Sequence, residues 1–289
     1  MDQQGTSQAA NSGLPEATHA KHGFSLTHVA AAPDVSYPGC HPGTQQNNLI
    51  ARITLDDFPG NVWNLFIPEG AYWLGLVDEE KGWNHFADTT AREWQADTAA
   101  LYFDGVPFRD NEKRDVVRIA ARLEVEGPEK VSYAVTIGNL TDEPIIDCLF
   151  SVCFNHHNAP VVGEQRFIVV EGKPVEIHTF SKEKKFHRFR AKGRSVTEEE
   201  LLFHRFCHPE AEAEEGIIFT IGDGLTAAHV CDDAGIVLSN DHWPCTDISS
   251  VVNRIDDEVT VLGHLLFLRG SYTPESALAE INAVVGRKQ

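Results

Sequence analysis

The chain has 289 residues, 42% of them hydrophobic, enough to bury one large β-domain or two small ones. Its 24 basic and 43 acidic residues leave a formal charge of −19, which repels nucleic-acid phosphates and anionic membrane surfaces and argues against either as a partner. No run of about 18 apolar residues offers a membrane span, Met1–Gly13 lacks the basic start and apolar centre of a secretory signal, and the cytoplasm is the expected compartment.

Residues 1–46 are rich in Gln, Ala, Ser, Gly and Pro with little periodicity, and composition of that kind predicts an irregular or flexible N-terminal arm. Residues 47–289 are then expected to form one β-sandwich domain. Leu49–Leu55 alternates as a strand and Asp57–Asn61 breaks it. An aromatic-dense stretch follows, with Trp63, Phe66, Tyr72, Trp73, Trp83, Phe86 and Trp94. Such side chains either stack on sugar rings or anchor the core.

From Asp115 the period-two signal is strong. Val117, Ile119, Ala121, Leu123 and Val125 share one face, and Arg118, Arg122, Glu124 and Glu126 the other, the pattern of a half-solvated antiparallel strand. Gly127–Lys130 turns the chain into a strand over Val131–Ile137. Asn139–Pro144 turns it again into Ile145–Phe154, whose continuous apolar run predicts burial on both faces.

Further strands are predicted at Arg166–Val170, Val175–Phe180, Phe186–Arg190, Ile217–Ile221, Ala227–Cys231, Ile236–Leu238 and Val259–Arg269. Helix signals are confined to Glu198–His208 and to Thr273–Val285, where Thr273 can cap, Pro274 takes the first helical position and Gly286 ends the run. Many short strands, turns rich in Gly, Pro, Asn and Asp, and a single short C-terminal helix predict an all-β antiparallel sandwich. Strand–helix alternation and Gly-rich phosphate loops are both missing from the sequence, which excludes the common nucleotide-binding α/β folds.

The residues with chemistry gather in four places. His156 and His157 stand at the exit of a core strand, and Glu164 and Arg166 follow; an imidazole, a carboxylate and a guanidinium can converge there on a polar ligand. Lys182–Arg194 interleaves aromatics with cations, which suits an acidic sugar or a solvated edge strand guarded by lysine. His204 and His208 would lie one helical turn apart, as metal-binding pairs or as histidines favoured by a helix C-terminus. Asn240–Asp247 is read as a loop in which Asp241, His242 and Asp247 relay protons or clamp hydroxyls and Trp243 stacks on a ring.

The six cysteines, Cys40, Cys148, Cys153, Cys207, Cys231 and Cys245, are too sparse for a disulfide scaffold. They contain no C-x-x-C pair and read as buried thiols. No motif names a cofactor or a resident metal, and no pattern sets the oligomeric state.

The segment Val237–Gly270 resembles the C-terminal part of a group of bacterial β-sandwich proteins without an assigned activity, with Cys245, Asp247 and Gly270 at matching places. In general architecture the chain is similar to the galactose-mutarotase-like group, whose members are epimerases, lyases, hydrolases or accessory domains acting on sugars. That resemblance implies a carbohydrate or other small-molecule ligand. The sequence reading is therefore a carbohydrate-active sandwich with His156, His157, Glu164, Asp241 and His242 as catalytic groups and Arg166, Trp243 and Asp247 as substrate contacts. Two alternatives stand beside it: a non-catalytic carbohydrate- or protein-binding module, and a metal-dependent oxygenase or hydrolase in which three imidazole or carboxylate ligands meet at one point.

Overall fold

The computed structural model describes residues 17–28, 50–72, 84–85, 94–109, 114–181, 185–192, 211–241 and 244–287. In chain order its strands are β1 (Thr18–Lys21), β2 (Phe24–His28), β3 (Ile50–Leu55), β4 (Val62–Tyr72), β5 (Asn84–His85), β6 (Gln95–Ala96), β7 (Ala100–Arg109), β8 (Asp115–Val125), β9 (Lys130–Asn139) and β10 (Ile145–Asn158). They continue with β11 (Arg166–Val170), β12 (Lys173–Glu176), β13 (Phe186–Ala191), β14 (Ala211–Ala213), β15 (Ile217–Ile221), β16 (Leu225–Cys231), β17 (Ala234–Asn240), β18 (Cys245–Ile255) and β19 (Glu258–Arg269). One helix, α1 (Pro274–Val285), follows.

These strands form two sheets that face each other across the core. The ten-stranded sheet runs β1-β2-β3-β4-β10-β18-β17-β13-β14, with β5 on the side of β4; the nine-stranded sheet runs β12-β11-β15-β16-β19-β9-β8-β7-β6. Pairing is antiparallel except between β13 and β14. The all-β antiparallel sandwich with a short C-terminal helix is thus the observed architecture.

The period-two pattern of β8 does what its residue types require. Val117, Ile119, Ala121, Leu123 and Val125 are buried while the residues between them reach toward solvent. Central strand β10, held between β4 and β18, is buried along nearly its whole length, as a run apolar on both sides demands.

The core between the sheets is built on aromatic edges. Phe267 meets Phe24, Trp63 and Phe154 at ring-centroid distances of 5.3, 5.1 and 5.7 Å, the tilted geometry that ring quadrupoles favour. Trp94 packs edge-on to Phe103 at 4.9 Å. Trp63 and Trp94 are therefore core residues; Trp73 and Trp83 lie outside the described residues.

Helix α1 is capped as its sequence indicates. The Thr273 side chain accepts from the Ser276 N–H, and Gly286 closes the C-terminus at φ 76°, a conformation that costs other residues a steric penalty. Its Ala277, Leu278 and Ile281 cover Phe219, Val230 and Leu266 on the outer face of the nine-stranded sheet.

Three expectations need correction. Within the supposed N-terminal arm, β1 and β2 form a hairpin that extends the ten-stranded sheet, because Phe24 and Leu26 have a core to enter when β2 pairs with β3. The rest of residues 1–46, and the helix expected over Glu198–His208 with His204 and His208, lie outside the described residues. Strand β12 ends at Glu176, where a 3-10 turn over Ile177–Thr179 takes over, fixed by the Thr179 hydroxyl donating to the Glu176 carbonyl at 2.6 Å. The supposed loop Asn240–Asp247 is strand at both ends: β18 already begins at Cys245, with Asp247 opposite Cys153 in the ladder.

Candidate functional site

Strand alternation sorts the polar residues of the ten-stranded sheet onto two faces. Thr246, Ile248 and Phe154 point inward to the other sheet; Cys245, Asp247, Cys153 and Asn155 point outward. Each face carries its own polar cluster.

The inner cluster lies between the sheets toward one end. His229 Nδ1 bonds the Thr246 carbonyl at 2.8 Å and must be the donor there, so its Nε2 accepts from the Tyr133 hydroxyl at 2.9 Å. Gly263 makes room for this, since a Cβ at that position would collide with the Tyr133 ring. His156 Nε2 sits 2.9 Å from Thr246 Oγ1. Burial pushes the His229 pKa down to about 4. Burial, followed by the Arg166 charge, holds His156 well below the usual imidazole value. Both rings are neutral near pH 7.

Beyond them, Arg166 Nη1 donates to Ser239 Oγ at 3.1 Å and to Asp241 Oδ1 at 2.7 Å. The other Asp241 oxygen is 3.1 Å from His178 Nε2, and the His178 and His187 rings meet edge-to-face at 5.3 Å. Burial raises the Asp241 pKa, but hydrogen bonds from His178 and Arg166 outweigh it and keep the carboxyl below the ordinary range.

The outer cluster is a buried polar surface. Across the sheet run the rows Asn64–Asn155–Cys245–Asn240 and Cys153–Asp247, with Ser151 and Ser249 adjoining, and all of these residues are buried. Both oxygen and nitrogen of the Asn64 amide, one Asp247 oxygen and the Ser249 hydroxyl have no hydrogen-bond partner. Buried polar atoms of this kind ordinarily find one. Cys245 Sγ donates to Asp247 Oδ2 at 3.1 Å.

Glu69 joins this surface through an irregularity in β4. Phe66 and Gly70 face Cys153 and Ser151, so β4 carries extra residues between them. Pro68 stands in that bulge, having no N–H for the ladder. Glu69, beside it, is half-buried. Burial first, then the Asp247 charge, raises the Glu69 pKa; burial likewise raises that of Asp247. Two carboxyl groups that repel in a water-poor setting retain a proton near neutrality.

The sequence-derived residues are distributed as follows. His156, Arg166 and Asp241 come together in the inner cluster. Asp247 belongs to the outer face, because strand alternation turns it away from Thr246. His157 and Glu164 are exposed, with the His157 N–H donating to Asn155 Oδ1 at 3.0 Å. His242 and Trp243 lie outside the described residues. Sequence reasoning missed His178, His187, Asn64 and Glu69. The only signal for Glu69 was a proline interrupting an apolar strand. The four described cysteines, Cys148, Cys153, Cys231 and Cys245, are free and buried, as expected.

No protein-family model and no curated protein sequence matches the chain. Among solved structures it is similar to the α-N-acetylgalactosaminidase NagBb from Bifidobacterium bifidum (12% identity, TM-score 0.49), covering 94% of this chain and 38% of that enzyme. It is also similar to a protein from Escherichia coli K12 described as an aldose 1-epimerase (8% identity, TM-score 0.47; 88% of this chain and 99% of that one). The likeness is one of fold. Both of these neighbours are carbohydrate-active by name. The chain spans about two-fifths of the length of NagBb.

Proposed function

We propose that the outer face of the ten-stranded sheet binds a small polyhydroxylated ligand, a sugar, and moves protons on it. The observation that carries this reading is the group of unpartnered polar atoms on Asn64, Asp247 and Ser249 beside a carboxyl pair with raised pKa values. Donors and acceptors are mixed across this surface, which suits hydroxyl groups, since each both gives and takes a hydrogen bond. A polyanionic ligand is disfavoured by the two carboxyl groups and by the chain's charge of −19.

In this reading Glu69, the more accessible carboxyl, carries the shared proton and acts as general acid toward a sugar oxygen. Asp247, held by the Cys245 thiol, is the carboxylate that receives a hydroxyl proton. Environments that separate the acidities of two like groups are what such a division of labour requires. Asn64 and Ser249 would orient the ring. A binding module without catalysis would use the same hydrogen bonds but would not need the carboxyl pair.

The test is a panel of aldoses screened by thermal shift, followed by anomer-exchange NMR on those that bind. A ligand at about 100 times its Kd stabilises the folded state by about 2.7 kcal/mol. Glu69→Gln is expected to keep ligand-induced stabilisation while losing exchange, and Asp247→Asn to lose exchange too. A panel in which no sugar raises the melting temperature overturns the reading, as does exchange that survives both substitutions.

A further inference from the structure

His178, Asp241 and His187 reach one point from three elements. His178 is in the 3-10 turn after β12, Asp241 directly follows β17, and His187 lies on β13. Strands β13 and β17 pair with His187 opposite Ser239. The Asp241 N–H donates to the Lys185 carbonyl at 2.8 Å, which ties the end of one strand to the start of the other. One donor atom from each of the three side chains lies within 4.8 Å of the others.

We propose that His178, His187 and Asp241 form a binding site for a divalent transition-metal ion of the zinc class. Two imidazoles and one carboxylate are a donor set that suits such ions. Bonds of about 2.0–2.1 Å in tetrahedral array place donors about 3.3 Å apart. His178 Nε2 and Asp241 Oδ2, at 3.1 Å, are already at that spacing. His187 is fully buried, whereas the His178 and Asp241 side chains are 26% and 16% exposed. The fixed ligand is therefore the deepest of the three and the adjustable pair lies nearer the surface.

The surrounding groups match what a metal centre needs behind its ligands. A ligating histidine usually turns its other nitrogen to a carboxylate, and a ligating carboxylate is itself hydrogen-bonded. Glu176 Oε1 stands 3.7 Å from His178 Nδ1. Arg166, supported by Ser239, holds the Asp241 oxygen that faces away from His178. On binding, the hydrogen between His178 Nε2 and Asp241 Oδ2 is displaced: a neutral ring moves it to Nδ1, toward Glu176, while a protonated ring, already carrying a hydrogen there, releases the Nε2 proton to solvent.

The test uses the full chain, stripped with a chelator and dialysed against zinc chloride, with cobalt(II) as the spectroscopic probe. One zinc ion per chain is expected. His178→Ala and Asp241→Asn should each weaken binding about 100-fold, at or beyond the upper end of losses seen when only supporting residues are removed. Cobalt should give d–d bands without a thiolate charge-transfer band, and the double variant Cys153→Ser/Cys245→Ser should bind as the parent does. Circular dichroism checks folding, and His178→Gln replaces His178→Ala if the latter unfolds. Three results overturn the proposal: no saturable site at one ion per chain, undiminished binding in folded His178 and Asp241 variants, or a thiolate band showing that the ion sits at Cys153 and Cys245.

Discussion

At the scale of single residues, the same burial acts in opposite directions on acids and bases. It raises Glu69 and Asp247, and it lowers His229 to about 4. For His229 the folded pKa lies below the unfolded one. Its contribution is present above about 6.5 and is lost as pH falls through 4, at most about 3 kcal/mol for a shift of this size. Between pH 7 and pH 4 the urea midpoint of the parent should therefore fall relative to that of His229→Gln, and parallel curves would mean that His229 does not carry the shift. For Glu69 and Asp247 the sign is reversed: their raised folded values cost stability as pH climbs from the carboxylate range toward neutrality. Removing the Asp247 charge also removes one of the causes that raise Glu69. Asp247→Asn should lower the Glu69 pKa, which a carbon-detected NMR titration of the side-chain carboxyl reads directly. Half of this chemistry was legible in the sequence. His156, Arg166, Asp241 and Asp247 stand out as polar groups at the ends of apolar runs. Glu69 and His178 do not, because a bulge and a 3-10 turn aim them, and neither has a periodic signature.

At the scale of elements, legibility followed the clarity of the hydrophobic period. Strand β8 alternates cleanly and β11 and β15 are compact apolar runs, so their bounds are those the sequence indicates. Strands β4 and β18 escaped notice because Pro68 interrupts one and Cys245–Asp247 makes the other look like a polar loop. A strand whose outer face is polar and nevertheless buried gives no alternating pattern that propensity can recognise. Helix α1 was the easiest element, since its start, first turn and stop are all written locally. Its cap is correspondingly testable. Thr273→Ala removes the side chain that accepts from Ser276 N–H and should cost about 1 kcal/mol. Ile281→Ala, which empties a fully buried site against the nine-stranded sheet, should cost about 2–5 kcal/mol. Equilibrium unfolding would find the packing loss larger than the capping loss; equal losses would mean that the helix is barely docked.

At the scale of the whole molecule, the ten-stranded sheet separates two polar clusters that electrostatics still joins through Arg166. Its guanidinium pairs with Asp241 on the inner side, lowers the His156 pKa, and also offsets part of the burial that raises Asp247 on the outer side. Only 3% of the Arg166 side chain is exposed, so its field is weakly screened by solvent. Arg166→Gln keeps a hydrogen-bond donor and deletes the charge. The Asp241 carboxylate is then left without its cation, at a cost of about 3 kcal/mol, and the Asp241 and Asp247 carboxyls should both titrate at higher pH. The His156 pKa should also rise from its present depression, toward the ordinary imidazole value, because a repelling positive charge has gone. One substitution therefore predicts upward shifts at three sites on two faces of a sheet. NMR titration of the Asp241, Asp247 and His156 side chains in the folded variant checks them together. If Asp241 moves while Asp247 stays where it was, the two faces are electrically independent and Arg166 serves the inner cluster alone.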